Sequence, residues 1–365
     1  MLIKGKSKKH FIPLVMLVLV FLFNLCFRIA EPGFIPKETI VNLTEGISFL
    51  IAHLLNQSRY LDKSKIIANM PYYYETFIRL KYSFITCLSG MGLCLAGAAF
   101  QTMFKNPLAS PNIIGVTAGV NLGNVVFILL YTTQALSVMT HRYVFCYGFS
   151  VVLIIFIMLA GKLAGIRVRR FSVMDMVIVG SVITQLTNVI VMYLQYVLEA
   201  IDSTLLLTYQ EITMGIYIVT DNFSLVFFAA ATILCMLPII LIRYRFNIVA
   251  FEDEDALTIG IVPKRLRFVG MVFGGMLAIT AIVFCGDMGI LALAIPHICR
   301  YQVGADFRKL CYVSVCSGGI LMLLCRIISS MFYFQGVALP VNFIISLVVL
   351  PVFIIVLAKQ KKAFE

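Results

Sequence analysis

The sequence predicts an all-α membrane protein with about ten transmembrane helices, and three observations predict it. Hydrophobic residues make up 61% of the 365 residues and charged residues only 13%, where a soluble domain of this length carries about a quarter charged residues to wet its surface. Most of the apolar residues fall in runs of roughly 17 to 25, the length that crosses a hydrocarbon core as a helix. Short basic clusters separate the runs.

Lys4, Lys6, Lys8 and Lys9 precede the first run, at 11–29. A signal peptide begins the same way. Asn24-Leu25-Cys26-Phe27-Arg28 offers no small-residue cleavage site, however, so this run reads as the first membrane helix. Further spans fall near 82–104, 113–131, 144–162, 172–194, 225–242, 269–285, 290–300, 310–333 and 341–358. The 290–300 run is too short for a regular lipid-exposed crossing. It is expected to be broken or re-entrant and shielded by neighbours, because bare backbone cannot face lipid. The resulting organisation has a helix in 1–30, an external loop leading into the second helix in 31–81, and helices two to six in 82–242. A cytoplasmic loop follows in 243–268, then helices seven to ten with a short cytoplasmic tail in 269–365.

The net charge of +12 does not indicate nucleic acid, since no basic stripe with interleaved aromatics exists. Instead the cations mark one side. Loops predicted to be cytoplasmic hold Lys105; Lys162, Arg167, Arg169 and Arg170; Arg243, Arg245, Lys264, Arg265 and Arg267; Arg300, Arg308 and Lys309; and Lys359, Lys361 and Lys362. The opposite side carries Glu199, Asp202, Glu211, Asp221 and Asp287 with little basic compensation, apart from Arg142 and the mixed-charge segment from Glu31 to Lys81. The positive-inside rule then predicts a multi-pass protein of the cytoplasmic (inner) membrane with both termini in the cytoplasm.

Ten cysteines without a C-x-x-C pair read as small buried hydrophobes. The histidines, at 10, 53, 141 and 297, show no ligand spacing, so no metal site is expected. Helices in lipid approach through small residues, and Gly115, Gly119 and Gly123 form such a stripe on the third span. Gly92 with Ala96, and Gly270 with Gly274, repeat the spacing.

Two stretches are too polar or irregular to be plain spans. In residues 98–111, Pro107 and Pro111 fix a sharp connection after Gln101, whose amide needs a partner within the bundle or a wet path. The second stretch runs from Gly286 through Pro296, His297 and Arg300 to Gly304, Asp306 and Arg308. His297 reads as a satisfied histidine near a helix end rather than a metal ligand.

The order Arg79-Leu80, Gly97-Ala98, Gln101, Asn106-Pro107-Leu108-Ala109, Pro111, Gly115 and Gly119 resembles the first signature of the FecCD/BtuC-type ABC permease family. Pro296-His297-x-x-Arg300 with Gly304, Asp306 and Arg308 is similar to its second signature. Ala256-x-x-Ile259-Gly260-Ile261 resembles its A-x-x-L-G-I coupling segment. The chain departs from the pattern at Lys81-Tyr82, where the family reads P-R, and at Ala338-Leu339-Pro340-Val341-Asn342, where it reads E-L-P-V-G. It also contains no tryptophan. These departures fall on or near the side where a binding protein would dock.

The resemblance implies a BtuC-like type II ABC importer permease fold for iron-siderophore, haem or vitamin B12-type chelates. It further implies an ABC ATPase subunit, an extracytoplasmic substrate-binding protein, and pairing as a homodimer or with a paralogous permease. Glu254, Asp255, Ala256, Leu257, Ile259, Gly260 and Ile261 would then couple to the ATPase. Gln101, Asn106, Pro107, Leu108, Pro111, Gly115, Gly119, Pro296, His297, Arg300, Asp306 and Arg308 would be structural motif residues.

The chain has no G-x-x-x-x-G-K-[ST] phosphate loop, Gly161-Lys162 being followed by leucine. No cofactor is therefore expected in this chain, and ATP and Mg would be used by the partner subunit. A membrane enzyme is disfavoured, because no G-x-S-x-G, H-E-x-x-H or paired carboxylates occur within a span. A self-contained secondary carrier remains the alternative, although it would place an acid in mid-membrane. Asp175, just past the Arg167–Arg170 cluster, reads instead as a helix-start acid.

Overall fold

A computed structural model of the chain describes residues 6–26, 37, 39–42, 44–45, 63–132, 141–167, 173–215, 222–249, 260, 262–334 and 337–364. Helices dominate, as intrahelical bonding lets each apolar run satisfy its own backbone in hydrocarbon. In order they are α1 (Lys6–Leu25), α2 (Lys63–Met103), α3 (Val116–Thr132), α4 (His141–Arg167), α5 (Val173–Ile201) and α6 (Ser203–Thr213). Then come α7 (Asn222–Leu241), α8 (Arg243–Val249), α9 (Pro263–Cys285), α10 (Gly289–Val303), α11 (Phe307–Met331) and α12 (Val341–Phe364). A 3-10 turn, Pro111–Ile114, precedes α3, and Tyr333–Phe334 pairs antiparallel with Val337–Ala338 between α11 and α12.

Six of these helices are long and apolar enough to cross a membrane, and three shorter apolar segments, Ile12–Leu25, Val116–Thr132 and Val341–Val356, join them. With α10 they account for the ten expected spans. The eighth is not broken but forms one continuous helix of 15 residues. At 1.5 Å per residue it is about 22 Å long, short of a hydrocarbon core. It is shielded as anticipated, with Leu291, Ala292, Ala294, Ile295, Pro296, His297 and Cys299 all buried.

Other boundaries differ from the hydropathy reading for one reason: hydropathy sees the lipid-immersed part of a helix, while hydrogen bonding continues beyond it. Residues 63–81, expected as part of an external loop and the entry to the second helix, are the first turns of α2, whose 41 residues extend about 60 Å. The 243–268 loop is shortened by α8 and by α9, which starts at Pro263, a favoured residue in a first helical turn. The last helix runs to Phe364, so the tail is helical. The amphipathic α6 escaped the sequence reading; Asp202 caps it by accepting a bond from the Thr204 N–H at 2.8 Å.

The bundle is arranged about α2. Its apolar window is 83% buried, against 17% for α5. Along α2, a Cβ on Gly90 would overlap the backbone of Gly318 in α11, and one on Gly97 would overlap the Ala292 carbonyl in α10. Gly274 of α9 meets Phe100 and the Cα of Ala96. Between these close approaches, Cys94, Leu95 and Phe100 fill the remaining space and keep no exposed surface. Substituting Gly97→Val should therefore fail to yield a monodisperse bundle or lower its melting temperature sharply, whereas Gly148→Val, with open space around it, should not. Fluorescence-detected gel filtration and thermal melts of both variants check this.

Candidate functional site

The first signature folds as a tight link between α2 and α3. After Met103, Lys105 takes a left-handed φ of 50°, and the Asn106 N–H donates to the Gln101 carbonyl at 3.2 Å. The Asn106 side-chain oxygen accepts from the Leu108 N–H at 2.9 Å, a turn that asparagine forms through its own amide. Pro111 then opens the 3-10 turn, and Gly115 closes it at φ 76°, a conformation costly for any residue with a Cβ. Gly119 and Gly123 follow on α3. A Cβ at either would strike the backbone of α4, at Ser150 and Cys146 respectively.

The second signature packs directly on the first. Gln101 Nε2 donates to the Leu293 carbonyl at 2.8 Å, and Arg300 donates to Thr102 Oγ1 at 2.9 Å. Pro296 has no N–H to offer the Ala292 carbonyl one turn back, and this is the carbonyl lying against Gly97. The missing donor and the missing side chain thus occupy the same place. Among the described residues, Gln101 Oε1 and Arg300 Nε are buried without a hydrogen-bond partner. His297 is buried and sets its ring edge-on to Phe353 of α12, with centroids 5.5 Å apart.

At the far end of α10, Asp306 caps α11 by accepting from the Arg308 N–H at 3.1 Å, and it pairs with the Arg308 guanidinium at 2.9 Å. Asn247 of α8 joins them. Its amide donates to Asp306 at 2.9 Å and accepts from the Phe307 N–H at 2.6 Å. Asn247 was not singled out from the sequence, since a lone polar residue between apolar ones in a loop carries no pattern. The Arg308 guanidinium holds the Asp306 carboxyl well below the usual carboxylate range. Of the coupling residues, Gly260 alone is described, at φ 79° with open space around it. Glu254, Asp255, Ala256, Leu257, Ile259 and Ile261 lie outside the described residues.

Two further sets of polar groups escaped the sequence reading or were only partly seen in it. On α5, Ser181 and Gln185 are exposed and Asn188 is half-buried, within a window of mean hydropathy 1.8. Asn188 donates to Gln185 at 3.2 Å. Their i, i+4, i+7 spacing puts them on one face. An amide stripe facing lipid is costly, so this face belongs against protein or water. The spacing was the available signal. The second set consists of arginines within the bundle. Arg79 donates to the Leu25 carbonyl, the last residue of α1, and to Thr39 and Thr76. Arg142 donates to Asn124 and to the Val283 carbonyl near the end of α9. Arg326 donates to both Asn24 and Ser83 at 2.8 Å.

A multi-pass helical bundle with these two signatures packed together is a membrane permease by fold. The family match is direct: the FecCD transport family profile covers residues 41–359, and the chain belongs to that family. Among its relatives are a molybdate import system permease protein from Haemophilus influenzae, 24% identical over 78% of this chain and 81% of that one. A probable iron chelatin transport system permease protein from Helicobacter pylori is 25% identical over 69% and 73%. A probable heme-iron transport system permease protein from Staphylococcus aureus is 25% identical over 78% and 82%. In three dimensions the chain is similar to a metal-chelate type ABC transporter solved in an inward-facing conformation, with TM-score 0.75, 21% identity, and 97% and 99% of the two chains covered.

The Asp306 cap contributes stability above the ordinary carboxylate pKa of about 3.9, and loses it as pH falls through the lower folded value. Because the Arg308 side chain is half exposed and the ion pair is screened there, Asp306→Ala should cost only about 1 kcal/mol at pH 7. Thermal melts in detergent at pH 7 and pH 3 should show the difference between variant and parent shrinking at the lower pH.

Proposed function

We propose that this chain is the membrane-spanning subunit of an ATP-driven importer of iron chelates, working with a separate ATPase subunit and an extracytoplasmic binding protein. The observation that carries the transport reading is the polar stripe of Ser181, Gln185 and Asn188 on the least buried span. A second permease copy set against α5 would remove the stripe from lipid and leave a path between the subunits. Large apolar side chains surround the stripe, Val182, Leu186, Val189, Met192 and Tyr193 all being exposed. Such a wall suits a bulky chelate, with metal charge already masked by its ligand, better than a small bare ion.

Iron-siderophore is the first substrate, and haem or cobalamin the alternative within the same class. Relatives named for iron chelatin and heme-iron transport support this order. A molybdate relative favours a second reading. A small oxyanion needs a cation along its route, and the described residues of the exposed α5 face carry none between Val177 and Ile201. The basic-rich connections would face the cytoplasm in an inner membrane, with both termini there. The loop around Gly260 would seat against the ATPase.

Reconstituted vesicles containing the chain, its ATPase and its binding protein should take up labelled ferric siderophore only when ATP is present. Uptake without ATP would instead establish a self-contained carrier. Gln185→Leu with Asn188→Leu should lower uptake at least tenfold while leaving gel filtration and melting unchanged, since neither side chain fills a core. Gly260→Trp should abolish both ATPase co-purification and uptake; retention of both would remove this loop from the coupling role.

A further inference from the structure

Beside the Asp306 cap, between α1, α8 and the start of α11, lies a cavity of about 520 Å³. Its volume falls within the range of about 300–1,000 Å³ typical of small-ligand sites. Arg243, Arg308 and Lys309 line it, with Tyr244 on one wall and Leu14 and Val313 on another. Both guanidinium groups approach the same ring, Arg243 at 5.5 Å and Arg308 at 5.4 Å from the Tyr244 centroid. The acidic residue in the lining, Asp306, is already engaged by Arg308 and Asn247. Among the described residues neither Arg243 nor Lys309 has a carboxylate partner. Three cations against one committed carboxylate leave a net charge of about +2 around an open, partly apolar recess.

Leu14 gives the cavity its second property. It lines the recess and also belongs to the exposed apolar face of α1, with Val15, Val18, Leu19 and Leu22. An occupant can therefore present an anion to the arginines while its apolar part lies along α1. We propose that this cavity binds the phosphate headgroup of an anionic phospholipid, with the acyl chains running down α1. Arginine forks match phosphate oxygens, and each basic side chain near a membrane surface adds to anionic-lipid attraction. The site requires only that the chain spans a membrane and does not depend on which substrate it carries.

The test is native mass spectrometry of the full chain in mild detergent with equimolar phosphatidylglycerol and phosphatidylcholine. Phosphatidylglycerol should be retained about tenfold over phosphatidylcholine, and Arg243→Gln with Lys309→Gln should remove that preference. If the double variant loses its melting transition, Lys309→Gln alone, at an exposed position, should still reduce the preference about threefold. Equal retention of both lipids, or a preference unchanged in a folded variant, would overturn the proposal. Displacement of the bound species by millimolar inorganic phosphate would assign the pocket to a free anion instead. Loss of a co-purifying ATPase with lipid retention intact would assign it to a protein contact.

Discussion

In hydrocarbon a helix gains nothing by exchanging lipid for another apolar surface, so assembly rests on how closely backbones approach and on which polar groups they satisfy. In this chain the constraint is concentrated on α2. Gly90 and Gly318 each stand where the other's carbonyl requires an absent side chain, and Gly97 stands in the same relation to Ala292. Those two crossings hold α11 and α10 against one helix at backbone distance. At α9 the approach is less extreme: a Cβ on Gly92 would come within 3.3 Å of Leu277, and one on Gly274 within 3.0 Å of Phe100, so these neighbours would have to shift by only a few tenths of an ångström. The site motifs inherit this geometry: Gln101 can reach the Leu293 carbonyl at 2.8 Å because Gly97, one turn earlier, has removed the space between the helices.

A second constraint follows from helix ends. The last carbonyls of a helix lack internal donors and carry the negative pole of its dipole. Arg79 and Arg142 each bring a guanidinium to such an end, at Leu25 of α1 and Val283 of α9. A guanidinium in this position is itself stabilised by the pole it serves. Arg326 differs, being met by the oxygens of Asn24 and Ser83, with the Tyr82 ring 5.4 Å away. Through these groups α1, α2 and α11 are joined by directional bonds as well as by packing. Asn24 also donates to the Leu323 carbonyl at 2.9 Å, which closes the set.

The number of spans was legible because hydrophobic length is a direct consequence of bilayer thickness. Their limits were less so. The turns of α2 before residue 76 and the capped helix α6 are helical without being apolar enough for hydropathy to register them. The shortness of the 290–300 run pointed to a break, but Pro296 removes a single donor and the orphaned Ala292 carbonyl is accommodated by Gly97, so the helix continues. The motifs gave Gln101, Arg300, Asp306 and Arg308 without their partners. Thr102, Leu293 and Asn247 are chosen by tertiary contact, and nothing in their own neighbourhoods of sequence announces it.

The position of α5 follows from the same packing rules. It shares a small core with α3 and α6, built from Val125, Phe127, Ile128, Val191, Leu198, Tyr209 and Ile212, separate from the main core around α2. Its contacts run to α3, α4, α6 and the 3-10 turn. Movement of the stripe relative to the main bundle is therefore felt at α3, α4 and the 3-10 turn, where a Cβ on Gly180 would overlap the Ile113 carbonyl. There Gly119 and Gly123 meet Ser150 and Cys146 at backbone distance, leaving no room for a sliding side chain. Close-packed contacts of this kind transmit displacement rather than absorb it. The first signature thus carries the α2–α3 turn at one end and the α3–α4 crossing further along, so the segment that holds Gln101 to α10 is continuous with the helix on which α5 rests.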